Sequence, residues 1–193
     1  MKVGKYILYS LLLLLFFTGC EALMRGSEAP QRPSSDHFIP PTDAASVFTN
    51  LENAFAYRES DIYTRCFSDS ISSGHAYYFI PSPVKAIAFP LPWGYQEEEL
   101  FFQELLAACP KDSLLMLSIS NDDVPDSDEG DTISYQINYQ ILAHHNRGDI
   151  DRNYEGRSFI KLIRNNQNYW VIYYWQDIPV STEATLSDLK AYF

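Results

Sequence analysis

Three stretches of the chain place apolar residues at three- and four-residue steps, which is the spacing of one helix face. The first covers residues 42–59, where the apolar positions are Ala44, Val47, Phe48, Leu51, Ala54 and Phe55. The second is shorter and begins at Asp61, a candidate N-cap for a helix that carries Ile62, Cys66 and Phe67. The third covers residues 95–108, with glutamates in its first turns where the helix dipole favours negative charge. The pattern predicts three helices in the first part of the chain.

Residues in the second half alternate between apolar and polar, as in a strand with one buried face. The alternation is clearest where Ile133, Tyr135, Ile137, Tyr139 and Ile141 are separated by polar residues. Further strands are predicted over residues 75–80, 114–120, 158–164 and 169–175. The last of these is apolar at both parities, so we expect both of its faces to be covered. A final helix is predicted over residues 186–192, with Thr185 and Asp188 at capping-box spacing.

The predicted order is helix, helix, strand, helix and then four strands in succession. Strands that do not alternate with helices exclude a doubly wound parallel sheet. Two polar turns, over residues 121–131 and 146–153, suit antiparallel connections. The sequence therefore predicts an α+β fold in which N-terminal helices pack on a curved, mostly antiparallel sheet.

This order resembles the cone-shaped fold shared by nuclear transport factor 2-like (NTF2-like), SnoaL-like and cystatin-like proteins. The likeness covers residues 42–177 and specifies fold better than function. In members of that group a pocket lies between the helices and the concave face of the sheet, and some members use an Asp or His there as a general base. The residues that carry the likeness are the turn Tyr57-Arg58-Glu59-Ser60-Asp61, the motif Tyr63-x-x-x-Phe67-Ser68-Asp69 and the aromatic strand Tyr169-Trp170-x-Ile172-x-x-Trp175-x-Asp177.

The chain begins with the layout of a secretory signal. Lys2 and Lys5 precede an apolar run over residues 6–17, which is shorter than the roughly twenty residues that span a bilayer core. Small residues and then Cys20 follow, and this resembles the lipobox of bacterial lipoproteins, although Phe17 stands where that pattern prefers Leu. The resemblance implies cleavage before Cys20 and acylation of its thiol. An ordinary cleaved signal with an incidental cysteine is the alternative.

The domain plan follows from these features. Residues 1–19 are a predicted lipoprotein signal peptide, residues 20–41 a lipidated cysteine with a tether rich in Pro and Ser, and residues 42–193 a single NTF2-like domain. Glu21 follows the cysteine where lipoproteins retained in the inner membrane carry Asp, so we expect an outer-membrane protein that faces the periplasm.

The formal net charge of −11 argues against nucleic acid as a partner. An acidic surface repels phosphate backbones, so we expect no nucleic-acid binding. It also repels anionic lipid headgroups, so attachment to the membrane depends on buried acyl chains on Cys20. The two remaining cysteines, Cys66 and Cys109, can form a disulfide in an oxidising envelope or can stay as free buried thiols.

Two residues are candidates for acid–base chemistry. His75 stands at the start of the first predicted strand and Asp177 follows Trp175 at the end of the last one. His75 could equally be a solvated turn residue, and Asp177 could cap the following turn. An isomerase-like base before Pro81 is absent, because that position is Ile80, and the isomerase tyrosine falls near Asn53.

We predict no metal site and no cofactor. His144 and His145 are adjacent, and neighbouring residues on a strand point to opposite faces. The two acidic turns, over residues 122–131 and 149–153, depart from the calcium-loop pattern, so solvated hairpin tips account for both. Neither a phosphate-binding loop nor a Ser nucleophile elbow is present.

Aromatic residues make up 15% of the chain, and this content is the feature that favours a binding function. Aromatic side chains combine large buried area with a polar handle, as ligand pockets and interfaces both need. They could also simply fill the core of a small domain. The candidate pocket residues are Tyr78, Trp93, Tyr135, Tyr139 and Trp175.

The leading functional hypothesis is a non-catalytic, membrane-anchored module that binds a small apolar ligand or an envelope protein partner, with a homodimer through the sheet face as one form. One alternative is an enzyme of the cyclase, dehydratase or isomerase type that uses His75 or Asp177. Another is a structural accessory subunit of an envelope assembly.

Overall fold

The computed structural model describes residues 37–89, 92–120, 125–128 and 130–193. The predicted signal peptide, Cys20 and most of the predicted tether lie outside these residues. The elements are α1 (Ala44–Tyr57), α2 (Ser60–Arg65), α3 (Ser70–Ser73), β1 (Tyr78–Ile80), α4 (Tyr95–Ala108), β2 (Leu115–Ser120), β3 (Ser127–Asp128), β4 (Thr132–Ala143), β5 (Asn153–Arg164), β6 (Trp170–Ile178) and α5 (Leu186–Lys190). The predicted α+β class and the order of helices before strands are confirmed.

Helix α1 forms where its apolar stripe and its caps agree. The Asp43 side chain accepts a hydrogen bond from the Ser46 amide at 2.8 Å, and this N-cap satisfies one of the free amides of the first turn. Val47, Leu51 and Phe55 lie on the buried face that packs towards β2. The helix ends when Arg58 adopts a left-handed conformation with φ 59°, and its amide bonds back to α1.

Helix α2 starts one residue earlier than its predicted cap. Glu59 is the N-cap residue, so Asp61 lies in the first turn and not at the cap position, which corrects the prediction. The left-handed turn at Arg58 lets the chain leave α1 and enter α2 after only two residues, Arg58 and Glu59. Inside α2, Asp61 forms an ion pair with Arg65 at 3.6 Å, four residues further on.

The sheet runs in the order β1-β6-β5-β4-β2, with the short β3 added beside β4. All of the pairings are antiparallel except β1 with β6, which is parallel and places Tyr78 next to Tyr174. The inner face of the sheet, which contacts the helices, carries the core residues of each strand. The outer face carries Gln136, Asn138 and Gln140 on β4.

Strand β6 is more deeply covered on one face than on the other. Ile172 and Trp175 are fully buried on the inner face. The register shifts at Tyr173, opposite Lys161 and Leu162, and both Tyr173 and Tyr174 are only half-buried. The expectation of two covered faces therefore holds for the inner face, while the outer face is open around these two tyrosines.

Strand β1 is shorter than predicted because side chains capture the backbone before it. The carbonyl of His75 accepts hydrogen bonds from the hydroxyls of Ser68 at 2.6 Å and Ser73 at 2.9 Å. A carbonyl bonded in this way does not join the sheet, so the strand begins only at Tyr78. Helix α5 carries the predicted capping box, since Asp188 accepts bonds from both the amide and the hydroxyl of Thr185.

Residues 37–41 lie against α1, although the sequence interpretation assigns them to the tether. The amide side chain of Asn50 accepts from the Ile39 amide at 2.8 Å and donates to the Ile39 carbonyl at 2.7 Å. Asn53 donates to the His37 carbonyl, and His37 bonds to Glu59 at 2.7 Å. Nothing in the described part of the chain is a helix with the length and apolar character that crossing a bilayer requires.

Candidate functional site

Helix α4 carries a carboxylate into the core. Glu98 shares a helix face with Phe101, Phe102 and Leu105, so the side chain points to the interior and is 1% exposed. The helix starts at Gly94, whose amide donates to the Glu97 side chain at 2.9 Å. This places Glu98 within the first turns, where the partial positive charge of the helix favours an anion.

Three neutral groups donate hydrogen bonds to Glu98. The hydroxyl of Tyr63, from α2, donates to Oε1. The hydroxyl of Tyr77 and the indole nitrogen of Trp93 donate to Oε2 at 3.0 and 2.8 Å. These donors come from three separate parts of the chain, so the fold as a whole fixes the position of the carboxylate.

The fourth partner of Glu98 is a buried lysine from α5. The Nζ atom of Lys190 lies 2.5 Å from Oε1 and 2.6 Å from Oε2 of Glu98, and Lys190 is 1% exposed. Four aromatic rings surround the same ammonium group within the range of cation–π attraction. Their centroids lie 3.9 to 5.6 Å from Nζ and belong to Phe79, Phe101, Trp175 and Trp93. We call Glu98, its three donors and these rings the ammonium cage.

Burial sets the protonation of the groups in the cage. Removal from water lowers the pKa of Lys190, while the attraction of Glu98 opposes that shift. Burial also raises the pKa of Tyr63 and Tyr77 well above the ordinary value, and the negative charge of Glu98 adds to the effect. The two phenols therefore remain protonated donors, and the cage is a fixed arrangement of charges.

A second buried carboxylate holds α5 in place. Asp177 accepts hydrogen bonds from the Tyr139 hydroxyl at 2.6 Å and from the Ser187 amide and hydroxyl at 2.9 and 2.5 Å. The Tyr139 hydroxyl in turn accepts from the Leu186 amide at 2.8 Å. We call this set the Asp177 latch. Since it fixes the first turn of α5, it also determines where Lys190 lies.

Gly156 makes room for the latch. It lies directly opposite Tyr139 in the pairing of β4 with β5. A Cβ atom at this position would collide with the hydroxyl end of the Tyr139 side chain. Only glycine therefore lets the phenol lie across β5 and reach Asp177.

The candidate pocket residues do not all meet. Trp93 and Trp175 both line the ammonium cage, and Tyr139 belongs to the latch. Tyr135 instead packs edge-on against Phe48 of α1, with ring centroids 5.5 Å apart. Tyr78 lies on the outer face of the sheet and is 47% exposed, because the inward residue of β1 is Phe79.

The two candidate acid–base residues lie in different settings. His75 is exposed, and its nearest described ring is Tyr173 on the outer face, 5.8 Å away. Asp177 is buried, and both of its oxygens accept hydrogen bonds within the latch. The fold thus gives Asp177 the position of a capping residue for α5 and leaves His75 outside the interior.

The two cysteines form no disulfide with each other, and the two adjacent histidines lie in different environments. Cys66 and Cys109 are both free and buried, and burial raises the pKa of the Cys66 thiol. His144 is exposed, whereas His145 is buried and its Nε2 lies 2.8 Å from the Asp151 carbonyl oxygen. The described residues contain no cluster of three or more His, Cys, Asp or Glu that could hold a metal ion.

Open clefts lie away from the ammonium cage. One, of about 370 Å³, lies between Arg65 of α2 and the turn at Asn166 that precedes β6. Another, of about 400 Å³, lies where Lys85 forms an ion pair with Asp188 of α5 at 2.6 Å. The space between the helices and the sheet is instead filled by side chains such as Tyr63, Phe79 and Phe101, each no more than 2% exposed.

Solved structures show which fold this arrangement belongs to. A conserved protein of Planctomyces limnophilus superposes with a TM-score of 0.54 at 12% identity, covering 70% of this chain and 94% of that one. An NTF2-like protein of unknown function from Shewanella oneidensis superposes with a TM-score of 0.51 at 11% identity, covering 69% and 93%. This chain has the NTF2-like fold.

A third structure, from Kribbella flavida, has a TM-score of 0.51 at 13% identity and covers 76% of this chain and 93% of that one. No protein-family model matches the sequence, and no curated protein matches it. At these identities the likeness concerns the NTF2-like fold and not the activity.

Sequence reasoning missed the two charged residues at the centre of this NTF2-like interior. The signal was present, since Glu98 stands three and four residues before Phe101 and Phe102, on the apolar stripe of α4. Lys190 likewise stands next to Leu189 and four residues after Leu186 in α5. A charged residue on an apolar stripe of one helix predicts an opposite charge on another element, because unpaired buried charges are too costly.

Proposed function

We propose that this protein is a lipid-anchored, non-catalytic binding module that faces the periplasm from the outer membrane and docks a protein partner on the outer face of its sheet. The observation that carries the proposal is a strip of apolar side chains on that face. We call it the outer strip, and its members are Tyr78, Ile80, Phe159, Tyr174 and Ile178.

The strip is continuous across three strands. Tyr78 of β1 neighbours Tyr174 of β6, which neighbours Lys161 of β5. The Phe159 and Tyr174 rings meet edge to face with centroids 6.2 Å apart, and Lys161 lies over both rings. Tyr78 is 47% exposed. Aromatic residues with this exposure are typical of protein interfaces, where they contribute area and a polar handle together.

The charge around the strip indicates what covers it. Lys161 and Arg157 lie on the same face, beside Tyr174 and Ile178, in a protein whose formal net charge is −11. Glu155 lies on the same face of β5, two residues before Arg157, so a second copy packed face to face would offer this carboxylate to the two cations. We therefore propose a second copy as the partner, in a face-to-face dimer.

The three other hypotheses have less support. A small apolar ligand would need the interior, which Phe79 and Phe101 fill. An enzyme of the cyclase, dehydratase or isomerase type would use His75 or Asp177, but His75 is exposed and both oxygens of Asp177 accept hydrogen bonds within the latch. A structural accessory subunit would use the same outer strip as the proposed docking module.

The anchor at Cys20 is tested by fractionating cells that produce the wild type and the Cys20→Ser variant. We expect the wild type in the outer-membrane fraction with a mass increase from acyl chains, and the variant without that increase. Cys109→Ser is the matched control and should stay with the membrane. Wild-type protein that is soluble and carries no acyl mass would contradict the anchor.

Docking is tested by sedimentation velocity of the wild type and of Tyr78→Ser/Tyr174→Ser. We expect a dimer for the wild type and a monomer for the variant. Leu100→Ser removes a side chain that is 57% exposed on α4, away from the strip, and should leave the dimer intact. A wild type that stays monomeric at every concentration would contradict a second copy as the occupant.

A further inference from the structure

The carboxylate of the ammonium cage is held in place without help from the lysine. Tyr63, Tyr77 and Trp93 donate to it from buried, packed positions. If Lys190 left, the same three donors would still orient the Glu98 side chain, and the volume that the ammonium group occupies would lie beside it.

The walls of that space also suit a cation. The rings of Phe79 and Trp175 lie 3.9 and 5.5 Å from the position of Nζ, and two further rings lie 5.3 and 5.6 Å from it. Several ring faces around one positive charge are the arrangement by which proteins recognise organic ammonium groups. A carboxylate with neutral donors adds selectivity for an ammonium that carries N–H groups, because only such a group can donate to it.

Stability alone does not explain a lysine here. Replacing a buried ion pair with apolar side chains of similar volume is often neutral or stabilising. An apolar residue at position 190 together with one at position 98 would fill the same volume. The presence of an ammonium group therefore reports the chemical preference of the cage itself.

For a ligand to reach the cage, α5 would have to move away together with Lys190. Helix α5 has five residues, too few to be stable by itself. The segment that joins it to β6 includes exposed residues 180–183. Besides the Lys190–Glu98 pair itself, the helix is held by the Asp177 latch, the burial of Leu186 and Leu189, a hydrogen bond from the Ser82 amide to Ser187, and the partly exposed ion pair of Lys85 with Asp188.

We propose that the ammonium cage is a binding site for a primary alkylammonium compound with a short unbranched chain, that Lys190 occupies it as an intramolecular competitor, and that the ligand enters when α5 leaves. The lysine stem sets the ligand class, because its four methylene groups are the shape that the cage accommodates. This site is separate from the outer strip, so it stands whether or not the docking proposal does. Occupation by Lys190 lowers the apparent affinity of the wild type in proportion to its open fraction.

The first test uses Lys190→Ala and n-butylammonium chloride as the probe, followed by the fluorescence of Trp93 and Trp175 and by calorimetry. We expect the variant to bind the probe at least about tenfold more tightly than the wild type, because its competitor is gone. Lys190→Ala/Glu98→Gln should lose that gain, and n-butanol should not replace the probe. A folded Lys190→Ala that binds no n-butylammonium, or binds n-butanol equally well, overturns the proposal.

The second test needs no variant and decides the case if Lys190→Ala fails to fold. Hydrogen exchange of the wild type is compared in n-butylammonium chloride and in sodium chloride of equal concentration. We expect faster exchange at the amides of Leu189 and Lys190, with unchanged exchange in β5. Equal exchange of α5 in the two salts overturns the proposal, because a ligand that enters only the open form must increase its population.

Discussion

The Nζ atom of Lys190 lies 2.5 Å from Oε1 of Glu98, although the two residues are 92 positions apart in the chain. The pair joins the last helix to α4 through the centre of the molecule. Each side chain is 1% exposed, so neither charge has water as an alternative partner.

The first prediction concerns this pair. Removing one charge leaves the other buried and unpaired, so Glu98→Met and Lys190→Met should each lower the free energy of unfolding by about 3–5 kcal/mol. The double variant Glu98→Met/Lys190→Met should recover most of that loss. Urea unfolding of the four proteins measures the coupling between the two sites. Additive losses in the double variant would show that the pair is not coupled.

Gly156 supports a second prediction. Because an added methyl group would collide with Tyr139, Gly156→Ala should lower the free energy of unfolding by about 1–3 kcal/mol. Gly148→Ala is the matched control, since a Cβ there meets no atom within 4 Å. Thermal unfolding of both variants decides the comparison. Equal midpoints would mean that β5 adjusts without displacing Tyr139.

The Asp177 latch gives a third prediction. Asp177→Ala removes the acceptor of Tyr139 and Ser187, and hydrogen bonds to a buried charge contribute about 1.5–3 kcal/mol each. We expect global destabilisation and faster hydrogen exchange in α5 before other elements open. The exposed Asp149→Ala should leave both quantities unchanged. Unchanged exchange in α5 after loss of Asp177 would assign the helix to other contacts.

Stability should fall at alkaline pH. Burial raises the folded-state pKa of Tyr63, Tyr77 and Tyr139 from an ordinary value of 10.0, and that of Cys66 from 9.0. A group whose pKa is raised in the folded state stabilises the fold fully at pH values below its ordinary pKa. This stabilisation is lost as the pH rises from the ordinary pKa towards the folded-state pKa. The lowered pKa of Lys190 acts in the opposite direction, as one group against three tyrosines and one cysteine.

The measurement is urea unfolding between pH 7 and pH 11, and the decline should begin above about pH 9. Tyr139→Phe removes one of the contributing groups, so its stability should fall less steeply across the same interval. A wild type whose stability is flat up to pH 11 would show that these phenols titrate as they do in water.

A fifth prediction concerns the start of the described chain. Asn50→Ala removes both hydrogen bonds to the backbone of Ile39, which contribute about 0.5–1.5 kcal/mol each. Residues 37–41 should then become accessible to limited proteolysis. Thr49→Ala is the control, because its hydroxyl bonds only to Ala45 in the same helix. Equal cleavage rates in the two variants would show that Asn50 does not hold this segment.

Local pattern was sufficient to predict α1, α4 and β4 from the sequence. Their apolar spacing repeats over enough residues to identify both the element and its buried face. The capping box at Thr185 and Asp188 was also visible, because both partners lie within one turn. These features depend on neighbours in the chain and not on the tertiary arrangement.

Features that depend on distant residues were not visible. We expected Tyr78 in a pocket, but it lies on the outer face of the sheet. Strand β1 has only three residues, too few for the sequence to show which of them point inward. The parallel pairing of β1 with β6 and the meeting of Glu98 with Lys190 are set by the fold as a whole. Sequence spacing can mark Glu98 and Lys190 as charges on apolar helix faces, but it does not show that they pair, and it does not show which strand β1 joins.

The parallel pairing of β1 with β6 has a consequence for the time course of folding. Strands β4, β5 and β6 follow one another along the chain and pair through short connections, whereas Tyr78 pairs with Tyr174, 96 positions away. We therefore expect the β1 edge of the sheet to form after the antiparallel strands have paired. During that interval Phe79 and its neighbours are exposed to water, and this is when a chaperone would be needed.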